Sequence, residues 1–264
     1  VKSHFFSKGI EIIDYDCDLR DIKNIESMFL KQGYPDVVVH LAGRYSGDTN
    51  TLLKDNLLST VNLLSALTKH PNIQLVYGSS GAVYGNSGPQ PINESTICKP
   101  NTDYGLCKSY CEQAILYYES CFGLGVTLLR FPSVYGINNS KGIIYNWVKG
   151  ALSDKRIVIH GNGHQKRSFI NVIDICEAIY RVADEEIFGT FNVSHSEIYS
   201  LNELARVFQD VFKVDVDFES GENLLESMVL DSSKLHAISG WKPMLGLKPY
   251  LESCLNSQSA FQKL

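Results

Sequence analysis

Continuous apolar runs that alternate with amphipathic segments constrain the fold of this chain more than any other feature. Three such runs lie at residues 36–43, 73–77 and 126–131. They lack the alternation of apolar and polar residues that is typical of a strand with one solvent-exposed face. Between them, residues 52–67 and 104–121 carry apolar side chains at helical spacing. Strands without alternation are covered on both faces, as in parallel sheets with helical crossovers. The pattern therefore predicts an α/β fold with a Rossmann-type doubly wound parallel sheet.

The second half of the chain has shorter, mixed patterns and predicts a smaller lobe. We expect residues 1–132 to form the Rossmann-like domain and residues 133–264 to form mainly a C-terminal substrate-binding lobe. Residues 165–185 or so are expected to return to the first domain, with Asp174 capping a helix. Such a lobe would lie over the carboxyl ends of the parallel strands, where ligands bind in these folds.

Charge and composition argue against several classes of function. A net charge of −5 disfavours general binding to nucleic acid or to a membrane surface. We expect neither a signal peptide nor a membrane span, since no apolar run approaches about 18 residues. Seven scattered cysteines predict free thiols in a cytoplasmic setting. Cys107 and Cys111 share a helix face, but no further ligand pair accompanies them, so we predict no metal site.

A strand end and the helix after it carry the main chemical signal. Ser80 follows the apolar run 73–77, and Tyr104 and Lys108 stand four residues apart on one helix face. An ammonium beside a phenol lowers the pKa of the phenol from about 10 towards neutrality. Such a Tyr can take a proton from a sugar or alcohol hydroxyl, with Ser80 sharing the hydrogen bond. Since no side chain accepts hydride, the motif predicts a nicotinamide cofactor.

With these motifs the chain resembles the extended short-chain dehydrogenase/reductase family, in its NAD-dependent sugar epimerase/dehydratase branch. The resemblance extends from Gly9 onward and includes the later segments 130–136, 161–174 and 230–243. It implies NAD as cofactor, a nucleotide-sugar substrate, and a homodimer formed through the helices at 52–69 and 104–121. Ser80, Tyr104 and Lys108 match the catalytic set of that family.

The resemblance also implies roles for individual residues around the site. The positions that match cofactor contacts, or the Asn that holds the cofactor loop, are Asp18, Leu19, Leu41, Ala42, Gly43, Asn56, Tyr104, Lys108 and Phe131. The positions that match substrate contacts are Ser80, Tyr104, Ser133 and Arg167, the last of these facing a nucleotide-sugar phosphate. Other interpretations remain open, because Asp18 also suits a turn and Arg167 could pair with Asp174 on the surface.

Two residues after Ser80 favour one reaction within the family. Gly81 and Ala82 stand where the related dehydratases carry an Asp-Glu pair that performs elimination and reprotonation. Neither residue is an acid or a base, so the sequence predicts a 4-epimerase that works through a keto-sugar intermediate. An NAD(P)-dependent reductase or dehydrogenase of the same fold is one alternative. A non-catalytic, truncated family member is the other.

The beginning of the chain departs from the family pattern. No Gly-x-x-Gly-x-x-Gly precedes Asp18, although such a loop normally holds the cofactor pyrophosphate. Residues 9–14 are predicted to form a short strand. We therefore expect an N-terminally truncated sheet that lacks the first βαβ unit, or a degenerate member that never binds NAD. Ser133 is a smaller departure, since the family usually has Asn there.

Overall fold

The computed structural model describes residues 1–86, 88–220 and 227–256. The strands are Val37–His40 (β1), Gln74–Ser80 (β2), Gly125–Phe131 (β3), Ser133–Tyr135 (β4), Arg156–His160 (β5), Lys166–Asn171 (β6), Gly189–Asn192 (β7), Ile198–Ser200 (β8) and Asp215–Glu219 (β9). The α-helices are Lys2–Ser7 (α1), Ile22–Gln32 (α2), Thr49–Leu52 (α3), Ser59–Leu67 (α4), Asp103–Phe122 (α5), Gly142–Ser153 (α6), Val172–Asp184 (α7), Leu201–Phe212 (α8), Ser233–Ser239 (α9) and Leu247–Asn256 (α10). A π-helical segment, Leu53–Leu58, joins α3 to α4, and a 3-10 turn, Gly81–Tyr84, follows β2.

A parallel sheet in the order β1-β2-β3-β7 forms the centre of the molecule. One face packs on α2, α4 and α5, whose buried side chains include Ile25, Leu64 and Ile115. The other face packs on α7 and α9, through Ile179 and Leu235 among others. The three apolar runs contain β1 to β3. As the lack of alternation predicts, β2 and β3 are buried along most of their length, whereas the three valines of the edge strand β1 are only partly buried. The Rossmann-type α/β fold is confirmed.

The later segments build two small sheets beside the main one. Their orders are β4-β6-β8 and β5-β9. They share a separate apolar core with α6, α8 and α10, in which Trp147 packs edge-on against Phe208 at 5.4 Å between ring centroids. A capping box begins α8, in which the side chains of Ser200 and Glu203 each accept from the other residue's backbone N–H. Residues 221–226 and 257–264 of the predicted lobe lie outside the described residues.

Two local predictions were wrong. Residues 9–14 form no strand; α1 precedes them instead, and Phe5 enters the core while Ile12 packs beside it. Side-chain anchoring thus holds this segment without a β ladder, which periodicity alone does not reveal. The cap of α7 is Asn171, whose side chain accepts from the Ile173 N–H at 2.9 Å. Asp174 lies in the first turn, where its carboxylate accepts from backbone N–H groups of residues 244 and 245. The predicted N-terminal truncation stays a prediction.

The described helices include none that is both long and apolar enough to cross a membrane. Within the same residues, no three His, Cys, Asp or Glu side chains gather where they could hold a metal ion. All seven cysteines are free thiols.

The buried imidazole of His40 on β1 predicts destabilisation by acid. Its ring lies 3.1 Å from the Thr60 hydroxyl, and burial, with the nearby Lys108 charge, lowers the pKa of His40 to about 3. In the unfolded chain this pKa is about 6.5, so between these values the unfolded state binds more protons and stability falls as pH falls. We expect His40 to account for a loss of about 2 kcal/mol in the free energy of unfolding between pH 7 and 5.

Urea denaturation at both pH values measures this loss. His40→Gln should show a smaller loss on acidification than the natural chain, whereas His164→Gln, at an exposed turn, should match the natural chain. An unchanged acid response in His40→Gln would contradict the prediction.

Candidate active site

Two adjoining cavities lie at the carboxyl ends of the parallel strands. The first has a volume of about 720 Å³ and is lined by Tyr15, Asp16, Cys17, Asp18, Leu19, Arg20, Ala42, Gly43, Arg44, Tyr45, Ser46, Asp55, Ser59 and Lys141. The second, of about 580 Å³, is lined by Tyr45, Ser79, Ser80, Ala82, Thr102, Tyr104, Phe131, Pro132, Ser133, Val134, Asn139, Lys141, Gly142, Ile143, Ile144, Arg167, Ser168 and Met228. Tyr45 and Lys141 line both, so the two cavities meet at these side chains.

Local structure brings Ser80 and Tyr104 together in the second cavity. Ser80 ends β2, and its hydroxyl accepts from the Ala82 N–H at 3.2 Å. The first turn of α5 lies directly against this segment, since a Cβ on Gly105 would stand only 2.4 Å from the Ala82 carbonyl oxygen. Thr102 caps α5 by accepting from the Gly105 N–H at 3.1 Å. Tyr104 therefore enters the cavity from the first turn of α5, beside Ser80.

The electrostatics of Tyr104 differ from the prediction. Burial raises the pKa of Tyr104 to about 12, although a hydrogen bond with Ser80 acts in the opposite direction. The Lys108 ammonium donates instead to the Tyr77 hydroxyl at 3.0 Å and to the Gly78 carbonyl at 2.7 Å. These acceptors at the buried end of β2 hold the Lys108 charge close to the sheet. The predicted shift of the phenol pKa towards neutrality was wrong for this structure.

Lys108 lies between the two cavities, behind Gly43. A Cβ on Gly43 would stand 3.9 Å from the Lys108 Nζ and 2.9 Å from the Asn56 Oδ1, so only glycine fits there without displacing a neighbour. Asn56 is buried, and its side chain bonds both backbone groups of Arg44, the residue after Gly43. The Arg44 N–H donates to the Asn56 Oδ1 at 2.5 Å, and the Asn56 Nδ2 donates to the Arg44 carbonyl at 2.9 Å. Gly43 lines the first cavity, so the Lys108 ammonium lies just behind a residue of its wall, although Lys108 itself lines neither cavity.

Most predicted cofactor residues gather at the first cavity. Asp18, Leu19, Ala42 and Gly43 line it, with Asn56 directly behind. Phe131 lines the second cavity, and the Leu41 side chain lies against Gly78 at the neighbouring strand end. The fold thus brings several of the predicted residues to one cavity although they are spread over more than a hundred residues, and their contact with a cofactor stays a prediction.

Asp18 belongs to a network of charged side chains, with Arg20, Arg44 and Asp55, that the sequence did not predict. Arg20 donates to the Asp18 carboxylate through Nε at 2.8 Å and Nη2 at 2.7 Å, and these hydrogen bonds lower the pKa of Asp18 to about 2. Arg20 and Arg44 also meet at Asp55, at 3.2 and 2.5 Å. Asp18 also accepts from the Arg20 backbone N–H at 3.0 Å, as a turn residue does, and it lines the first cavity as well. Its contact with a cofactor stays a prediction.

The predicted substrate residues gather at the second cavity. Ser80, Tyr104, Ser133 and Arg167 all line it. The alternative surface pair of Arg167 with Asp174 was wrong, because Asp174 is buried and bonds the backbone of residues 244 and 245. Burial lowers the pKa of Arg167, so its guanidinium stands partly desolvated at the cavity wall. Lys141, Tyr45 and Met228 also line this cavity but had no sequence signal.

Comparison with known proteins points to a single family. The model for the NAD dependent epimerase/dehydratase family matches residues 6–194. A putative UDP-glucose 4-epimerase of Methanocaldococcus jannaschii is 28% identical, over 91% of this chain and 82% of that protein. UDP-glucuronic acid decarboxylase 6 of Arabidopsis thaliana is 26% identical, over 74% of this chain but only 60% of that protein. The crystal structure of Thermus thermophilus UDP-glucose 4-epimerase with NAD has a TM-score of 0.86 and 22% identity, covering 99% of this chain and 94% of that one.

Proposed function

Since the chain belongs to the NAD-dependent epimerase/dehydratase family, we propose that it is a nucleotide-sugar 4-epimerase that works through a keto-sugar intermediate. One observation carries the choice of reaction: no carboxylate follows Ser80 in the second cavity. Ala82 lines that cavity, and Gly81 packs against the Met228 sulfur, 3.0 Å from the point where a Cβ would stand. Elimination needs an acid and a base at these positions, whereas epimerisation needs no further acid or base there beyond the proton transfer assigned to Tyr104.

The first cavity fits a dinucleotide such as NAD. Its volume of about 720 Å³ lies in the usual range for ligand sites. Asp18 is an acceptor for sugar or base N–H and O–H groups, and the absence of a side chain at Gly43 leaves a cradle beside the Lys108 ammonium. When bound, NAD supplies a hydride acceptor and a positively charged ring. We assign Asp18, Leu19, Ala42 and Gly43 to the cofactor, with Lys108 bonding hydroxyls on the ribose next to the nicotinamide.

Tyr104 is the proton acceptor in this proposal. Its phenol hydrogen-bonds Ser80, and both face the second cavity, where the C4 hydroxyl of a sugar has room to bond both oxygens. With a pKa near 12, Tyr104 is neutral at pH 7, so its deprotonation depends on positive charge arriving nearby. Once deprotonated, Tyr104 takes the proton of the sugar hydroxyl and becomes a phenol. It gives that proton back to the same sugar oxygen when hydride returns, which restores the phenolate, so the residue needs no regeneration between turnovers.

The outer part of the second cavity suits the phosphates of a nucleotide sugar. Arg167 offers a partly desolvated guanidinium there, and Lys141 adds a second positive charge. Ser133 contributes a single hydroxyl donor with a short reach. We therefore assign the segments after residue 133 to substrate binding, apart from α7 and its neighbours, which return to the main sheet.

Assay of the purified chain with UDP- and dTDP-hexoses tests the proposal. We expect interconversion of C4 epimers, followed by NMR, with catalytic amounts of NAD and no net change in NADH absorbance. A 4-keto-6-deoxy sugar would instead show dehydration and overturn the proposal. Release of carbon dioxide from UDP-glucuronic acid, assayed in parallel, would show decarboxylation and overturn it as well. Stoichiometric consumption of NADH or NADPH would favour the reductase alternative. Calorimetric titration with NAD separates these enzymes from a non-catalytic member, which would bind none.

Assembly and location complete the proposal. Aromatic rings are exposed along α5 at Tyr110, Tyr117 and Phe122, and Leu58 exposes an aliphatic side chain just before α4. These exposed apolar side chains support a homodimer through these helices. Light scattering of the purified chain tests this assignment, and a monomer at micromolar concentration would contradict it. Seven free thiols fit a reducing, cytoplasmic setting.

A further inference from the structure

We propose that Glu112 and Arg130 form a buried positioning pair that holds Ser80 in its working geometry. The inference rests on the proposed function, because it concerns how Ser80 is presented to the sugar hydroxyl. Neither member of the pair lines either cavity, so both act through other residues.

The pair is almost fully enclosed. Arg130 on β3 donates to Glu112 on α5 through Nη2 at 2.6 Å and Nε at 3.0 Å, in a two-pronged contact. Their side chains are only 8% and 2% exposed. The Ser79 hydroxyl donates to the same carboxylate at 2.5 Å, which gives Glu112 three hydrogen bonds. Ser79 is the residue immediately before Ser80, so the carboxylate fixes the end of β2.

The arginine fixes the other side of Ser80. Its Nη1 donates to the Tyr84 hydroxyl at 2.8 Å, and Tyr84 donates to the Asn192 Oδ1 at 2.8 Å. Tyr84 ends the 3-10 turn that follows Ser80. Asn192, at the end of β7, then donates from Nδ2 to the Ile92 carbonyl at 2.9 Å. Ser80 is therefore held between two residues that both bond the ion pair.

The Glu112–Arg130 pair is not explained by a contribution to the stability of the fold alone. Enclosed ion pairs add little over apolar residues of similar volume, because both charges lose their hydration, whereas removing one partner is costly. A buried charged network whose groups are all hydrogen-bonded instead holds the surrounding elements in one geometry. Here it joins β2, the turn after Ser80, β3 and α5, the elements that carry Ser80, Tyr104, Lys108 and Phe131. The geometry points to positioning of the site.

Glu112→Gln tests the pair, with Glu119→Gln as the matched control two turns along the same helix. Gln keeps the shape but removes the charge that binds Arg130. We expect kcat to fall by about 10–100-fold with KM within about threefold, since misplacement of a reacting group costs rate more than binding. Glu119→Gln should retain both constants. If Glu112→Gln does not fold, Tyr84→Phe replaces it as the test. This variant removes one hydroxyl from the network and should show a smaller fall in kcat.

A double-mutant cycle separates positioning from general destabilisation. If the pair acts through Ser80, Glu112→Gln should change kcat by less than about twofold when Ser80→Ala is already present. Equal losses of kcat in both backgrounds would overturn the inference. So would a kcat of Glu112→Gln that stays within about twofold of the natural enzyme, while the 4-epimerase assignment would stand.

Hydrogen exchange provides a measurement that needs no turnover. In Glu112→Gln, amides in residues 79–84 should exchange at least about tenfold faster, whereas those of α6 should be unchanged. Protected residues 79–84 in this variant would overturn the positioning role even if the natural chain epimerised no sugar. Failure of the proposed function and failure of this inference thus produce different results.

Discussion

Replacing Tyr104 with phenylalanine is expected to lower kcat for epimerisation by about 10³-fold, because general acid–base groups contribute about 10²- to 10⁴-fold. Phenylalanine keeps the ring that packs 5.0 Å from the Tyr45 ring centroid but removes the phenol hydroxyl, which lines the second cavity together with Ser80. Stopped assays with the C4 epimers, run at saturating NAD, measure the loss. The Kd for the nucleotide sugar should change by less than about threefold, since the phosphate contacts remain.

Tyr110→Phe is the matched control for this prediction. Tyr110 stands six residues further along α5 with 45% of its surface exposed, well outside both cavities. Its variant should turn over like the natural enzyme. Turnover by Tyr104→Phe within tenfold of the natural rate would contradict the assignment of the proton acceptor.

Lys108→Met is expected to weaken NAD binding and to slow turnover together. The variant loses the ammonium that we assign to the cofactor ribose, and a hydrogen bond to a charged group contributes about 1.5–3 kcal/mol, or about 10–100-fold in Kd. It also leaves the Gly78 carbonyl and the Tyr77 hydroxyl without their donor in a buried position. We therefore expect a loss of about 1–3 kcal/mol in the free energy of unfolding as well.

Calorimetry with NAD and urea denaturation measure the two effects separately. Lys149→Met, at an exposed position on α6, is the control and should leave both unchanged. If Lys108→Met bound NAD as tightly as the natural chain and lost only stability, its role would be confined to the end of β2. That outcome would remove Lys108 from the cofactor contacts.

The sequence located most of the elements because periodicity is a local property of the chain. The apolar runs became β1 to β3, and the helical pattern at 104–121 became α5. The prediction of a strand at residues 9–14 was wrong because a strand needs a hydrogen-bonding partner strand, and the pattern of one segment does not show whether such a partner is present. The prediction that Asp174 caps a helix was wrong for a related reason. A carboxylate near the start of a helix can cap that helix or accept from a distant loop, and which of the two occurs depends on tertiary packing.

What the sequence determined by itself was the order of the elements and the chemical groups at the strand ends. Ser80, Tyr104 and Lys108 could be picked out by spacing, and the lack of acids at Gly81 and Ala82 needs no structure to observe. Periodicity and residue identity are carried by short stretches of chain, which is why they can be recognised without a structure. The catalytic roles of these residues stay predictions.

Only the tertiary structure decided how the charges are paired. Lys108 bonds the end of β2 instead of the Tyr104 phenol, and Glu112 meets Arg130 across 18 positions of sequence. Burial selects such partners, because a charge removed from water must bond whichever groups are enclosed with it. That selection depends on elements packed from distant parts of the chain, so the pKa of Tyr104 and the support of Ser80 became visible only in the fold.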